Sequence, residues 1–240
     1  MNLLVWGKSG KMGQMIIKMA KEDPYWNKVQ GIGSHDDVES LGLQPKVVID
    51  FSHPSSLERL LEFCQNRSCP LVIGTTGFTE DQMHKIKEAS TEIPLVYATN
   101  MSLGMNLLFS LARETAGILK DSVDIEVLEA HHNRKKDAPS GSARSIVEAI
   151  ESGLGEKRNL VFGRVGEAPR QKGDIGIHSL RGGNIVGRHE AWFIHDLESI
   201  TLVHEAHDRS VFAKGALVAA KFVAAATPGM YDMTHVLGLK

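Results

Sequence analysis

The first hundred residues alternate between two hydrophobic periods. Uninterrupted apolar runs at Leu3–Trp6, Val47–Phe51, Leu71–Ile73 and Leu95–Ala98, with a weaker one at Val29–Ile32, have the length and composition of buried strands. They start 18 to 26 residues apart, enough for a helical crossover between parallel neighbours each time. Between them, Met12, Met15, Ile16, Met19 and Ala20 recur at helical spacing. Ser55-x-x-Glu58 and Thr79-x-x-Gln82 carry the capping-box spacing of a helix start. Strand and helix in repetition predict a parallel sheet covered on both faces.

The pattern changes after about residue 122. Val123, Ile125 and Val127 alternate with Asp124 and Glu126, the mark of a half-buried strand. Ser142–Gly153 predicts a helix that ends in glycine. From Ile175 to His207 several alternating segments follow with little helix between them, and Ile200, Leu202, His204 and Ala206 share one face. This predicts a second domain with a mainly antiparallel sheet. The segment 155–173, rich in charge, glycine and proline, is expected to be a long mobile loop. Val211–Ala226 is helical again and is expected to cover the first sheet. The predicted class is α/β: a Rossmann-like parallel-sheet domain over 1–102 and 210–240, and an α+β domain over 103–209. The two crossings, near Asn100–Leu103 and Arg209–Phe212, form a natural hinge pair.

Composition narrows the class of function. Of 240 residues, 42% are hydrophobic and 23% charged, which suits a globular chain able to bury its own core. A net charge of −2 argues against broad nucleic-acid binding. Cys64 and Cys69 match no common zinc spacing and suit a reducing, cytoplasmic setting. No secretory signal is expected in the first residues. The most apolar stretch, Gly215–Ala226, is short and broken by Lys221, so no membrane span is expected.

Gly7-Lys8-Ser9-Gly10-Lys11-Met12-Gly13 follows a predicted strand and opens a predicted helix. Its glycine spacing is a variant of the dinucleotide fingerprint, which needs a tight turn and backbone N–H groups facing a pyrophosphate. The acid that usually follows the second strand is displaced. Ser34 or His35 takes its slot, with Asp36 and Asp37 just beyond. Ser34, His35 and Lys11 can donate to a 2′-phosphate, so both NADH and NADPH are expected to serve. Gly74-Thr75-Thr76-Gly77 and Thr99–Gly104 follow two further strands, where open parallel sheets bind ligands.

The densest chemistry lies between Glu129 and Ala143. Ser140 is a plausible N-cap, so Gly141 and Ser142 open a helix whose positive end suits a carboxylate or phosphate. His131, His132 and Lys135 add proton donors and positive charge beside it. A small dianionic substrate fits this chemistry. A serine hydrolase built on Ser140, His131 and Asp137 lacks the nucleophile elbow. His204 and His207 would face opposite sides of a strand, so no metal site is expected.

Glu129-Ala130-His131-His132, Lys135 and Asp137-Ala138-Pro139-Ser140-Gly141-Ser142-Ala143 together closely resemble the signature of the dihydrodipicolinate reductases. Gly7–Gly13, Asp50-Phe51-Ser52, Gly74–Gly77, Asn100-x-Ser102-x-Gly104, Ile177–Gly183 and Phe212–Ala216 follow in the family's order. The resemblance implies reduction of 4-hydroxy-tetrahydrodipicolinate by NADH or NADPH, in a cytoplasmic homotetramer joined through the second domains. It implies His131 and Lys135 as proton donors, and His132, Ser140, Gly141 and Ser142 as substrate contacts. It places the cofactor on Gly7, Lys8, Ser9, Gly10, Lys11 and Met12, with Ser34 beside them. Gly74, Thr75 and Thr76 and then Ala98, Thr99, Asn100 and Met101 complete that set. Ser142 stands where threonine is usual, and Met101 where phenylalanine is common.

Overall fold

A computed structural model describes residues 1–38 and 41–239. The chain begins with β1 (Asn2–Trp6), α1 (Lys11–Glu22), β2 (Lys28–Ile32) and β3 (Val47–Asp50). It continues through α2 (Leu57–Asn66), β4 (Leu71–Ile73), α3 (Glu80–Ala89) and β5 (Pro94–Tyr97). Next come α4 (Leu103–Leu119), β6 (Asp124–His131), α5 (Gly141–Leu154), β7 (Leu160–Phe162), β8 (Ile175–Arg181), β9 (Gly187–Ile194) and β10 (Ser199–Ala206). It closes with α6 (Ser210–Val223), β11 (Gly229–Tyr231) and α7 (Met233–Val236). Two compact units result, one of Met1–Leu103 with the segment from Ser210 on, the other of Gly104–Arg209.

In the first unit the sheet order is β11-β5-β4-β3-β1-β2, and every pairing is parallel. Alternation along β1 sends Leu3 and Val5 to a core with α1 and α6, and Leu4 and Trp6 to a core with α2 and α3. Both faces are therefore covered. The link from β2 to β3 contains no helix among its described residues, because its Gly and Pro positions break any helical period. The capping box at Thr79 forms with Gln82. The one expected at Ser55 does not. Pro54 opens a 3-10 turn ahead of α2, so the cap falls to His53, whose Nδ1 accepts from the Ser55 N–H at 3.2 Å. The predicted helix from Val211 is α6, which stops at Val223. Gly215 of α6 lies where a Cβ would stand 1.7 Å from the Met101 carbonyl oxygen, so the helix can seat there only with glycine.

In the second unit the sheet order is β10-β9-β6-β8-β7. It is mixed rather than mainly antiparallel: β9 pairs antiparallel with β6 and β10, while β8 pairs parallel with β6 and β7. The reason is α5, which serves as the crossover that a parallel partner of β6 requires. Gly153 does not end that helix. A Cβ there would stand 2.0 Å from the Arg113 carbonyl oxygen, so Gly153 lets α5 pack closely on α4, and the left-handed C-cap is Gly155 at φ +80°. The expected loop 155–173 instead carries β7. Two of its arginines are paired onto β6, Arg164 on Glu126 at 3.0 Å and Arg170 on Asp124 at 2.8 Å. One face of the sheet packs Val127, Ile177 and Phe193 on α4 and α5. The other face leaves Leu180, Trp192 and Val203 exposed, and Arg188 there bridges Glu190 and Glu205, each at 2.7 Å.

Candidate active site

The glycine loop is a backbone cradle. Gly7 has φ +97°, and a Cβ on it would stand 2.3 Å from the Phe51 carbonyl oxygen. A Cβ on Gly13 would stand 2.1 Å from the Gly7 carbonyl oxygen. The N–H groups of Gly7 and Lys8 donate to Ile32 O at 2.8 and 3.0 Å, which ties the loop to β2. Gly10 caps α1 without a side-chain hydrogen bond, and no acid occupies the first turn. The positive end of α1 is thus open to an anion. A cleft of about 280 Å³ lies here, lined by Gly7, Ser9, Gly10, Ser34, Phe51 and His53 among others. Lys11 is exposed and Met12 half-buried at the helix start.

The displaced acid is recovered by folding. Asp36 Oδ2 accepts from Gly33 N at 2.8 Å and pairs with Lys8 Nζ, so its carboxylate returns to the end of β2. Lys8 and the Gly33 N–H hold that carboxyl below its ordinary range. Arg59 lies 5.5 Å over the Trp6 ring and donates to the carbonyls of Ser34, at 3.1 Å, and Asp36. Ser34 itself is exposed.

Three strand ends are knitted together beside the cleft. Ser52 Oγ donates to Asp50 Oδ1 at 2.5 Å, and Ser52 N donates to Thr75 Oγ1 at 2.8 Å. Asp50 is 1% exposed, and burial pushes its carboxyl up to about 6 against the lowering bonds from Ser52 and Thr75. A Cβ on Gly74 would stand 2.2 Å from the Phe51 ring. Thr75 is buried and Thr76 exposed. After β5, Ala98 N donates to Ile73 O at 3.3 Å, and Asn100 Oδ1 accepts from Ser102 N at 2.9 Å. Thr99 is exposed, while Met101 is buried in the core beside α6.

In the second unit the site gathers at the end of β6. Glu129 shares the inward face with Ile125 and Val127 and is 0% exposed. Its Oε2 accepts from His131 Nδ1 at 2.6 Å, and Arg181 makes a two-pronged pair with it at 2.8 and 2.7 Å. Ser140 N donates to Oε1 at 3.0 Å. Burial opposes ionisation of Glu129, but bonds from His131, Arg181, Ser179 and Ser140 outweigh it and hold the carboxyl far below its usual range. Lys135 Nζ lies 2.9 Å from Asp137 Oδ1. His132 Nε2 lies 3.4 Å from an Arg209 Nη, and burial, then Arg134 and Arg209, lower its pKa.

Ser140 caps α5 by accepting from Ala143 N at 3.2 Å, and its Oγ lies 3.2 Å from His189 Nε2. It is buried, so it shapes the turn, while Gly141 is exposed and Ser142 half-buried at the positive helix end. His189 stands edge-on to His131 at 5.0 Å, and burial pushes its pKa down to about 4. His131, Lys135 and the start of α5 are thus drawn into one hydrogen-bonded neighbourhood. Sequence reasoning gave no role to Glu129, Arg181, His189, Arg209 or Asp50. For Glu129 a signal existed: a carboxylate on the apolar face of an alternating strand needs buried partners. Arg181 and His189 face it only through strand pairing, since His131 registers with Arg181 and Glu129 with His189.

Comparisons with known proteins agree along the whole chain. The family model for the dihydrodipicolinate reductase N-terminus matches residues 1–101, and that for the C-terminus matches 104–237. A 4-hydroxy-tetrahydrodipicolinate reductase of Alkaliphilus oremlandii is 58% identical over 100% of this chain and 99% of its own. One from Aquifex aeolicus is 42% identical over 99% of this chain and 98% of its own. Among solved structures, a dipicolinate-bound dihydrodipicolinate reductase from Paenisporosarcina sp. TG-14 has TM-score 0.78 at 22% identity, over 96% of this chain and 97% of that one. It shows the fold.

Proposed function

The chain belongs to the dihydrodipicolinate reductase family, and from that premise we propose that it reduces 4-hydroxy-tetrahydrodipicolinate to tetrahydrodipicolinate in diaminopimelate and lysine biosynthesis. It is an oxidoreductase that uses a pyridine nucleotide. The unit holding the glycine loop is the dinucleotide-binding domain, and 104–209 is the substrate and assembly domain. The observation that carries this reading is the neighbourhood at the end of β6, where His131 and Lys135 lie beside the positive end of α5.

The cradle at Gly7–Gly13 fits a pyrophosphate, because a Cβ on Gly7 or Gly13 would strike backbone and the N-terminus of α1 carries no side-chain cap. The 4-hydroxyl of the substrate leaves as water together with a neighbouring ring hydrogen, and the nicotinamide, when bound, would supply a hydride to the unsaturated ring that remains. His131 and Lys135 deliver the protons that meet the resulting charge on the ring-nitrogen side, each worth roughly 10²–10⁴-fold as a general acid. His132, the Arg209 guanidinium and the turn at Gly141–Ser142 hold the two carboxylates, turning binding energy into orientation. Gly74, Thr75 and Thr76 and the segment Ala98–Met101 complete the cofactor side.

Both NADH and NADPH serve. Asp36 offers a carboxylate to a ribose 2′-OH, and Lys8 beside it offers a cation to a 2′-phosphate. The ratio of kcat/KM for the two is expected to lie within about tenfold, or about 1.4 kcal/mol. A preference for NADH of several hundredfold sinks this balance.

A homotetramer is supported by the open face of the mixed sheet, where Leu180, Trp192 and Val203 are exposed together. Light scattering is expected to give four copies, and a well-behaved monomer removes the assembly. Buried, unpaired thiols at Cys64 and Cys69 suit a reducing cytoplasm. The direct test mixes purified protein, NADH or NADPH and enzymatically generated 4-hydroxy-tetrahydrodipicolinate and follows the nicotinamide absorbance. Turnover of that substrate supports the reading. Turnover only of another small acid overturns it.

A further inference from the structure

We infer that Glu129, locked by Arg181, is a positioning residue that holds His131 in one tautomer and ties it to Lys135 and to the start of α5. This rests on the proposed reaction for its consequence in turnover, though its geometry stands by itself. The two oxygens of Glu129 divide the work. Oε2 takes His131 Nδ1 at 2.6 Å and one Arg181 nitrogen at 2.8 Å. Oε1 takes Ser140 N at 3.0 Å and the other Arg181 nitrogen at 2.7 Å. That second guanidinium nitrogen also donates to the Asp137 carbonyl at 2.7 Å, and the Asp137 side chain holds Lys135 Nζ at 2.9 Å. One buried carboxylate and one guanidinium therefore reach both proton donors and the first residue of the carboxylate-binding turn.

Simple stability does not explain the choice. An ionised carboxylate at a fully buried position costs several kcal/mol to desolvate, and an apolar residue in register with Ile125 and Val127 avoids that cost. The four hydrogen bonds above lead to site residues or to the arginine that joins them, and a further one comes from Ser179, the register partner of Glu129 on β8. Arg181 and the Ser140 N–H can only donate, so Glu129 accepts from both and meets His131 as an acceptor too. The His131 proton then sits on Nδ1, and Nε2 is the nitrogen left to exchange a proton with substrate. Gly187 keeps that nitrogen open: a Cβ there would stand 3.2 Å from Nε2.

The test is Glu129→Gln, which keeps size and an acceptor oxygen but removes the charge, paired with Arg181→Lys, which keeps charge but loses the fork. Full-length protein is assayed for kcat, substrate KM and NADH affinity, and histidine ring nitrogens are read by ¹⁵N NMR. In Glu129→Gln, kcat is expected to fall roughly ten- to a hundredfold, with KM and cofactor affinity within about threefold. The wild-type His131 signals are expected to report a proton held on Nδ1, with Nε2 the nitrogen that exchanges, and the variant a loss of that preference. Arg181→Lys is expected to lose roughly three- to tenfold in kcat with the tautomer retained. A wild-type ring with no proton on Nδ1, or a folded Glu129→Gln variant with near-full kcat, overturns the inference. If Glu129→Gln does not fold, an Arg181→Lys variant with unchanged kcat overturns the link to Lys135. Should the wild type fail to reduce the proposed substrate, the reaction reading falls while the tautomer measurement still decides the role of Glu129.

Discussion

At the ends of β1, β3 and β4 the first unit presents mostly backbone. Gly7, Gly13 and Gly74 each sit where a single added carbon would strike a neighbouring residue. At the end of β6 the second unit presents side chains, wired through a carboxylate that no water reaches. A backbone cradle is specified by what must be absent, and it tolerates varied neighbours so long as the glycines stay. A buried ionic network is specified by what must be present, because a half-paired charge costs more than no charge at all. The two units accordingly should fail in different ways.

The largest effect is expected in the second unit. His131→Ala and Lys135→Ala should each lower kcat by roughly 10²–10⁴ with NADH affinity nearly unchanged, as steady-state kinetics and cofactor titration will read. Near-full kcat in Lys135→Ala would reduce it to a surface charge held by Asp137. The mirror experiment is Gly13→Ala. Its Cβ meets the Gly7 carbonyl, so NADH affinity should fall at least about tenfold and stability by about 1–3 kcal/mol, read by titration and denaturant midpoints. An unchanged affinity would mean the loop does not cradle the cofactor.

The units also carry opposite pH responses. Asp50 is raised to about 6 from 3.8, so its stabilising contribution is present below 3.8 and lost as pH rises through about 6. His189 is lowered to about 4 from 6.5, so its contribution is present above 6.5 and lost as pH falls through about 4. Each is worth on the order of 3 kcal/mol. Between pH 4 and 6.5, Asp50→Asn should therefore gain on the wild type as pH rises, and His189→Asn should fall behind it. Denaturant midpoints across that window check the sign, and parallel curves for all three proteins would show that neither group is shifted. The smallest effect is expected from His132→Ala, a rise of several-fold in substrate KM with kcat largely kept, the pattern that an orienting rather than a reacting role gives.

Much of this contrast was legible beforehand, and unevenly. Buried strands of a parallel sheet need continuous apolar runs, so Leu71–Ile73 stands out in the sequence with its observed bounds. Thr79 and Ser140 act as caps because capping is local chemistry, read from three or four residues. Gly153 and Gly155 show the limit: both suit a helix end, and only the packing of α4 reveals which one is a close approach. Asp36 reads as a residue too late for the ribose until the turn folds it back to Gly33. The sign of the pairing between β6 and β8 depends on α5 acting as a crossover, which periodicity alone does not state. Glu129 and Arg181 lie 52 residues apart, and only the sheet register brings them together.

The central claim is that one unit holds the cofactor through backbone while the other moves protons through side chains. The His131→Ala/Lys135→Ala double variant tests it in a single sample, by NADH titration followed by single-turnover hydride transfer to the substrate. The expected result is an NADH affinity within about twofold of wild type and a transfer rate at least about a hundredfold lower. Loss of NADH affinity in step with the rate, in a variant that remains folded, would contradict the division.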